Sequence, residues 1–242
     1  MGLMNNIKIV LVEPAGERNI GSIARVMKNM CVDQLVLVNP QCDPLSEDAR
    51  VMAVHGVEIL ANAQIVDSLP TALMGCQKAI ATTARPRGIP TPLETPRDAL
   101  PWLLEANITS ALIFGPEDRG LSNPELSHAQ KFICIPSNPE YPSLNLAQAV
   151  GICLYELYQS QGDSQNYPET LEETSELASL EALEGYYQHL ETVLLKVNYL
   201  YPHTAQAKME KFRRLINRTN LQAQELAMLR GILRQIEWKI NN

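Results

Sequence analysis

The stretch from Tyr141 to Tyr158 (Tyr-Pro-Ser-Leu-Asn-Leu-Ala-Gln-Ala-Val-Gly-Ile-Cys-Leu-Tyr-Glu-Leu-Tyr) restricts the fold more than any other. Pro142 breaks the chain. Ser143 and Asn145 are both good N-cap types, and Gln148 stands three residues after Asn145, as in a capping box. Leu146, Val150, Cys153 and Leu157 then recur at helical spacing, while Ala147, Ala149, Ile152 and Leu154 make the other side apolar too. The pattern predicts a helix buried almost all round, with Ala147 and Gly151 small enough to admit a neighbouring backbone. Upstream, Lys131-Phe-Ile-Cys-Ile-Pro136 reads as a short buried strand. A strand, a loop of Pro, Ser and Asn, and the N-terminus of a buried helix thus follow one another. Such an arrangement is suited to holding a ligand.

The preceding chain supplies the scaffold. Ile7–Val12, Leu35–Val38, Ile65–Val66, Lys78–Thr83 and Ala111–Phe114 read as strands, separated by helical patterns. Asn19 reads as the cap of a helix running to about Met30, with Ile20, Ile23, Ala24, Met27 and Met30 turned inward. Thr95 to Glu105 reads as another helix, with Pro96 in its first turn. Strands and helices alternating at this spacing predict an α/β domain with a mainly parallel sheet. That domain is expected over residues 1–160, followed by a polar, turn-rich linker at 161–175 and a small helical appendage at 176–242.

Charge divides the same way. The formal net charge of −7 argues against non-specific nucleic-acid binding, but it averages two unlike segments. Residues 163–201 carry eight acids and one base; residues 202–242 carry eight bases and three acids. The basic tail would suit a nucleic acid, or would simply be a solvated helix face. The five scattered cysteines, without Cys-x-x-Cys spacing, predict reduced thiols in the cytoplasm and neither a disulfide frame nor a zinc site. The histidines show no metal spacing either, and no apolar run approaches the ~20 residues of a membrane span.

Two loops could carry chemistry. Gly115-Pro-Glu-Asp-Arg-Gly-Leu121 follows a strand, and its glycines bracket a tight turn where backbone amides could approach a ligand or could merely shape the turn. Asn19-Ile-Gly-Ser-Ile-Ala-Arg25 begins near the end of the first strand, where α/β sites lie; a cap and a surface arginine would look the same. Neither a dinucleotide fingerprint nor a Walker loop occurs, which counts against a nucleotide-dependent oxidoreductase.

Taken in order, Asn-x-Gly-x-x-Ala-Arg (from Asn19), Phe-Gly-x-Glu-x-x-Gly-Leu (from Phe114) and Ile-Pro…Ser-Leu-Asn-Leu-Ala (Ile135 to Ala147) resemble the three motifs of the SpoU/TrmH branch of the SPOUT methyltransferases. Asn138-Pro-Glu-Tyr141 and the tail from His203 to Gly231 are similar to the bacterial tRNA (cytidine/uridine-2′-O-)-methyltransferases acting at anticodon-loop position 32. The resemblance implies a deep trefoil knot completed by the helix at 143–158, a homodimer with its active site at the interface, and S-adenosyl-L-methionine as cofactor without a metal. By motif position it assigns cofactor contacts to Thr82, Thr83, Ala84, Gly115, Ile135, Pro142, Ser143 and Leu144. It assigns catalysis to Arg25, with Asn19, Glu117, Ser143 and Asn145 in support. For a tRNA substrate, Arg18, Arg85, Arg87 and Arg119 lie in or near the site loops, and Lys208, Lys211, Arg213, Arg214 and Arg218 in the tail could bind phosphates. Rival readings are a 2′-O-methyltransferase acting on the wobble position or on ribosomal RNA, and a non-catalytic RNA-binding or cofactor-sensing module on the same fold.

Overall fold

The computed structural model describes residues 3–84, 93–163 and 177–241. They divide into two compact units, residues 1–72 with 78–169 and residues 73–77 with 170–242. In the first unit, six strands form one sheet: β1 (Ile7–Val12), β2 (Gln34–Val38), β3 (Gln64–Val66), β4 (Lys78–Thr82), β5 (Ser110–Phe114) and β6 (Lys131–Ile133). Their order is β3-β2-β1-β5-β4-β6 and every pairing is parallel. Register follows hydrophobicity. Ile9 stands opposite Leu35 on one side and Leu112 on the other, so β1 and its two neighbours form a continuous apolar centre.

The helices of this unit are α1 (Glu17–Asn29), α2 (Glu47–Ala53), α3 (Val57–Ala61), α4 (Leu69–Ala72), α5 (Pro96–Ala99), α6 (Asn123–Leu126) and α7 (Leu146–Asp163). α1 inserts Ile20, Ile23, Ala24 and Met27 into the core, as its spacing predicts. The helix expected over 95–105 is shorter. Thr95 caps α5, and from Leu100 the chain tightens into a 3-10 turn containing Pro101, which has no N–H to continue an α-helix. A 3-10 turn also joins α2 to α3, and there Val54 has φ 51° and ψ −108°, a conformation that a β-branched residue enters only under strain.

The helix at 146–163 departs from the sequence reading. Leu146, Val150, Cys153, Leu154 and Leu157 are buried in the core, but Ile152, Tyr155 and Tyr158 are exposed. All-round apolarity therefore does not correspond to all-round burial within one chain.

The second unit contains α8 (Leu180–Lys196), α9 (Pro202–Asn217) and α10 (Ala223–Asn241). Ser179 caps α8 through the Ala182 amide at 3.1 Å. Leu183, Tyr187, Leu190, Met209, Leu226 and Leu233 on these helices are buried. The polar groups among them are paired: the Tyr187 hydroxyl donates to Asn217 Oδ1 at 2.7 Å, and the Arg213 guanidinium spans both carboxylate oxygens of Glu184 at 2.6 and 2.8 Å. No described helix is long and apolar enough to cross a membrane.

Candidate active site

In an all-parallel sheet the loops leaving β1, β4, β5 and β6 open along one edge, and these four strands are consecutive in the sheet. Progress through the sheet changes direction beside β1, and α/β folds bind ligands in the crevice such a switch opens. Here side chains from α1 and from two loops meet. Glu117, after β5, accepts hydrogen bonds from the Ala15 and Gly16 amides at 3.1 Å each and from Asn19 Nδ2 at 2.9 Å. Asn19 Oδ1 accepts from Asn145 Nδ2 at 2.9 Å. Asn145 Oδ1 accepts from the Ala147 and Gln148 amides at 2.9 and 3.3 Å. Each side-chain amide is oriented by its partners, and together they form a continuous relay from the start of α1 to the start of α7.

The relay corrects one expectation. Asn19 is the third residue of α1 and not its cap; Gly16 holds the cap position without a side-chain bond. The carboxylate of Glu117, from a distant loop, accepts from the amides of Ala15 and Gly16, just ahead of the helix, and places a negative charge at its start. Gly16 makes the approach possible, since a Cβ there would lie 2.8 Å from Asn19 Nδ2 and 3.0 Å from Glu117 Oε1. Asn145 does cap α7, as its position predicts. Burial pushes the Glu117 carboxyl upward, but the bonds from Asn19, Ala15 and Gly16 outweigh it and hold the group below its ordinary value.

Beside this relay lies a cavity of about 190 Å³. Thr82, Thr83, Ala84, Gly115, Ile135, Pro142, Ser143 and Leu144, the eight residues assigned to a cofactor, all line it. Phe114, Leu121, Ile133 and Leu146 add apolar wall that the motifs did not indicate, and Glu117 lines the cavity where it meets the relay. The lining is shaped from within. Thr82 Oγ1 donates to the Ile113 carbonyl at 3.1 Å, and Ser137 Oγ donates to the Pro142 carbonyl at 3.1 Å. The Asn138 side chain accepts from the Glu140 amide at 3.0 Å, an Asx turn visible in the sequence as Asn-Pro. Gly115 is required by the loop's own closure: a Cβ there would stand 2.3 Å from the Leu121 nitrogen. Apolar side chains together with backbone groups and small hydroxyls suit a flat heterocycle with polar edges.

Arg25 is not part of this lining. It is exposed on α1, with no hydrogen-bond or ion-pair partner among the described residues. Of the arginines and lysines expected at RNA, several are engaged within the chain. Arg119 binds both oxygens of Glu125 at 2.9 and 3.0 Å and Glu13 at 2.7 Å. Arg213 is held by Glu184 and packs on the Tyr187 ring at 4.5 Å. Both serve as internal ties within this chain. Arg18 pairs with Asp48 at 3.1 Å, an exposed contact of little energetic weight. Arg214 donates to the Glu210 carbonyl at 3.1 Å, while Lys211 and Arg218 are exposed. Arg85 and Arg87 lie outside the described residues.

Known proteins are similar to this chain in sequence and in fold. Residues 6–155 match the family model described as SpoU rRNA Methylase family, and residues 181–242 match tRNA methyltransferase TrmJ, C-terminal domain. The tRNA (cytidine/uridine-2′-O-)-methyltransferase TrmJ of Pectobacterium atrosepticum is 41% identical over 97% of this chain and 98% of its own. A crystal structure of TrmJ from Z. mobilis ZM4 is similar with a TM-score of 0.84 and 32% identity, covering 95% of this chain and 98% of that one. A structure concerned with the 2-OH methylation of C/U34 on tRNA is similar with a TM-score of 0.54 and 25% identity; it covers 65% of this chain and 97% of that one.

Proposed function

The chain belongs to the SpoU rRNA methylase family, and on that premise we propose that it methylates the ribose 2′-oxygen of tRNA, at cytidine or uridine 32, using S-adenosyl-L-methionine in the cytoplasm. The observation that carries this reading is the cavity beside the Glu117–Asn19–Asn145 relay, around which all eight residues assigned to the cofactor gather. Those residues fit the group: Ile135, Leu144 and Leu146 offer apolar faces to an adenine, and the loop from Gly115 to Leu121 offers backbone polar groups to its edges. When bound, S-adenosylmethionine supplies an electrophilic methyl group carried on a sulfonium.

The protein's part is to position the ribose and to stabilise its oxygen while the C–O bond forms, the methyl–sulfur bond breaks to leave a neutral thioether, and the hydroxyl proton passes to solvent water. Arg25 is too basic to accept that proton. Its guanidinium instead holds a backbone phosphate and stabilises the developing alkoxide, so Arg25→Lys should lose most turnover. Near-normal turnover in that variant would refute this role. The relay keeps the starts of α1 and α7 in fixed register, so that Arg25, six residues beyond Asn19, and Ser143, two before Asn145, are held by one rigid frame.

The same reading includes a homodimer. A single chain leaves Arg25 outside the cavity lining and leaves Ile152, Tyr155 and Tyr158 exposed on α7, which packs against α1. A second copy seated on this face would cover the apolar residues and bring its arginine to the first copy's site. The trefoil threading expected of the family, with α7 closing the knot, belongs to this reading too. Position 32 is favoured over the wobble position because the similarity to the C/U34 structure leaves about a third of this chain unmatched, whereas that to TrmJ extends over nearly all of it.

The test is methyl transfer from labelled cofactor to unmodified tRNA, with and without a 2′-deoxy substitution at residue 32. Loss of transfer with the substituted tRNA is expected. Undiminished transfer would move the target to another ribose, and none with either tRNA would remove the activity.

A further inference from the structure

The turn between α8 and α9 holds two tyrosines where water reaches them. α8 ends at Lys196, Asn198 reverses the chain with φ 58°, and Leu200 is buried as the anchor. The residues on either side of that anchor point outward: Tyr199 is 55% and Tyr201 51% exposed. Two half-exposed rings thus flank one buried leucine and offer an aromatic surface to solvent.

The rings are held in place. Lys208 Nζ donates to the Tyr199 carbonyl at 3.1 Å and lies 5.0 Å over its ring, and Phe212 flanks the same ring at 6.3 Å. The Tyr201 ring stacks on His203, with centroids 6.0 Å apart and planes 22° from parallel. Around them the charge has one sign. From residue 196 to 218 the chain has six lysines and arginines and one acid, Glu210. Lys196 and Arg213 are neutralised by Glu237 and Glu184, whereas Lys208, Lys211, Arg214 and Arg218 have no carboxylate partner among the described residues.

Pre-set aromatic faces next to unneutralised cations match single-stranded RNA, whose unpaired bases stack and whose phosphates seek positive charge. An acidic protein would satisfy the cations but would leave the flat rings without a stacking partner. We infer that the α8–α9 turn is a base-stacking platform, with Tyr199 and Tyr201 receiving unpaired bases of the RNA substrate and Lys208 and Lys211 meeting the adjoining phosphates. This rests on the reading of the chain as an RNA methyltransferase.

The experiment measures binding of the full-length protein to unmodified tRNA, and to a fully paired RNA duplex of similar length, by fluorescence anisotropy over a range of salt. Tyr199→Ala with Tyr201→Ala should weaken tRNA binding by about tenfold per ring, leave duplex binding unchanged, and preserve the slope of log affinity against log salt. Tyr199→Phe with Tyr201→Phe should retain wild-type affinity, because the ring and not the hydroxyl stacks. Lys208→Ala with Lys211→Ala should instead flatten the salt slope by about 0.7 to 0.9 per lysine. The alanine pair also loses the ring contacts with Lys208, Phe212 and His203, so its melting temperature should fall by a few degrees, and binding is therefore compared well below the melt, where the alanine pair should still bind the duplex as the wild type does. Wild-type tRNA affinity in the alanine pair, an equal loss on duplex RNA, or an equal loss in the phenylalanine pair would each overturn the platform while leaving the methyltransferase reading intact. Failure of the wild-type protein to bind any RNA would overturn both.

Discussion

Replacing Glu117 with Gln removes one charge and keeps the shape, so the result isolates what the carboxylate does at the relay. Glu117 accepts three bonds, from Asn19 Nδ2 at 2.9 Å and from the amides of Ala15 and Gly16 at 3.1 Å. Glutamine has one oxygen. Turned toward Asn19 and Gly16, it leaves its own NH2 facing the Ala15 N–H, donor against donor. Losing one bond to an ionised acceptor costs about 1.5–3 kcal/mol, and losing negative charge at a helix start adds about 0.3–1 kcal/mol. The side chain is open to water, so the lower end of each range applies and the total is about 2 kcal/mol. For a unit of this size that corresponds to a fall of about 4–8 °C in melting temperature. The pH dependence has a definite sign. The folded carboxyl titrates below its ordinary value of 4.5, so its contribution is complete above that value and disappears as pH falls through the folded one. Melts followed by circular dichroism from neutral pH downward should therefore show the wild-type advantage at neutrality and its loss under acid. A gap below about 1 °C at neutral pH, or one that does not narrow on acidification, would refute the reasoning.

Three further outcomes are expected. Asn145→Ala removes the cap of α7 and the bond to Asn19 together; it should cost about 1–2 kcal/mol in urea unfolding and weaken cofactor binding measured by calorimetry. Val54→Gly should raise the urea midpoint, because relief of a strained φ of 51°, worth about 1–3 kcal/mol, exceeds the entropy cost of glycine, about 1 kcal/mol. Brief alkylation near pH 8 followed by mass spectrometry should label exposed Cys31 first and spare Cys76 and Cys153, both fully buried; burial also pushes the Cys42 thiol up to about 11, which should slow its labelling.

What the sequence made legible was local. The apolar runs at 7–12, 35–38 and 111–114 and the period of Ile20, Ile23 and Met27 specified a parallel α/β sheet, and Asn145 marked its own helix start. What it hid was long-range. Asn19 read as a cap because pattern reasoning places capping groups nearby, whereas the charge at the start of α1 comes from a carboxylate in the loop after β5. Nothing near Arg119 in sequence announces its bond to Glu13, 106 residues away. The outer face of α7 was misjudged for a different reason: apolar composition indicates that Ile152 and Tyr155 want cover, not which molecule supplies it.

The span of the relay has a consequence for biosynthesis. Asn19 must wait for Glu117, 98 residues later, and for Asn145, 126 residues later, before both sides of its amide are paired. A chain still emerging from the ribosome can build β1 and α1 and yet possess no binding cavity, because Pro142, Ser143 and Leu144 arrive just before the last link. Contacts between such distant positions form slowly. The cavity is therefore completed late, and a stalled or truncated product lacking Asn145 would lack the last link of the relay.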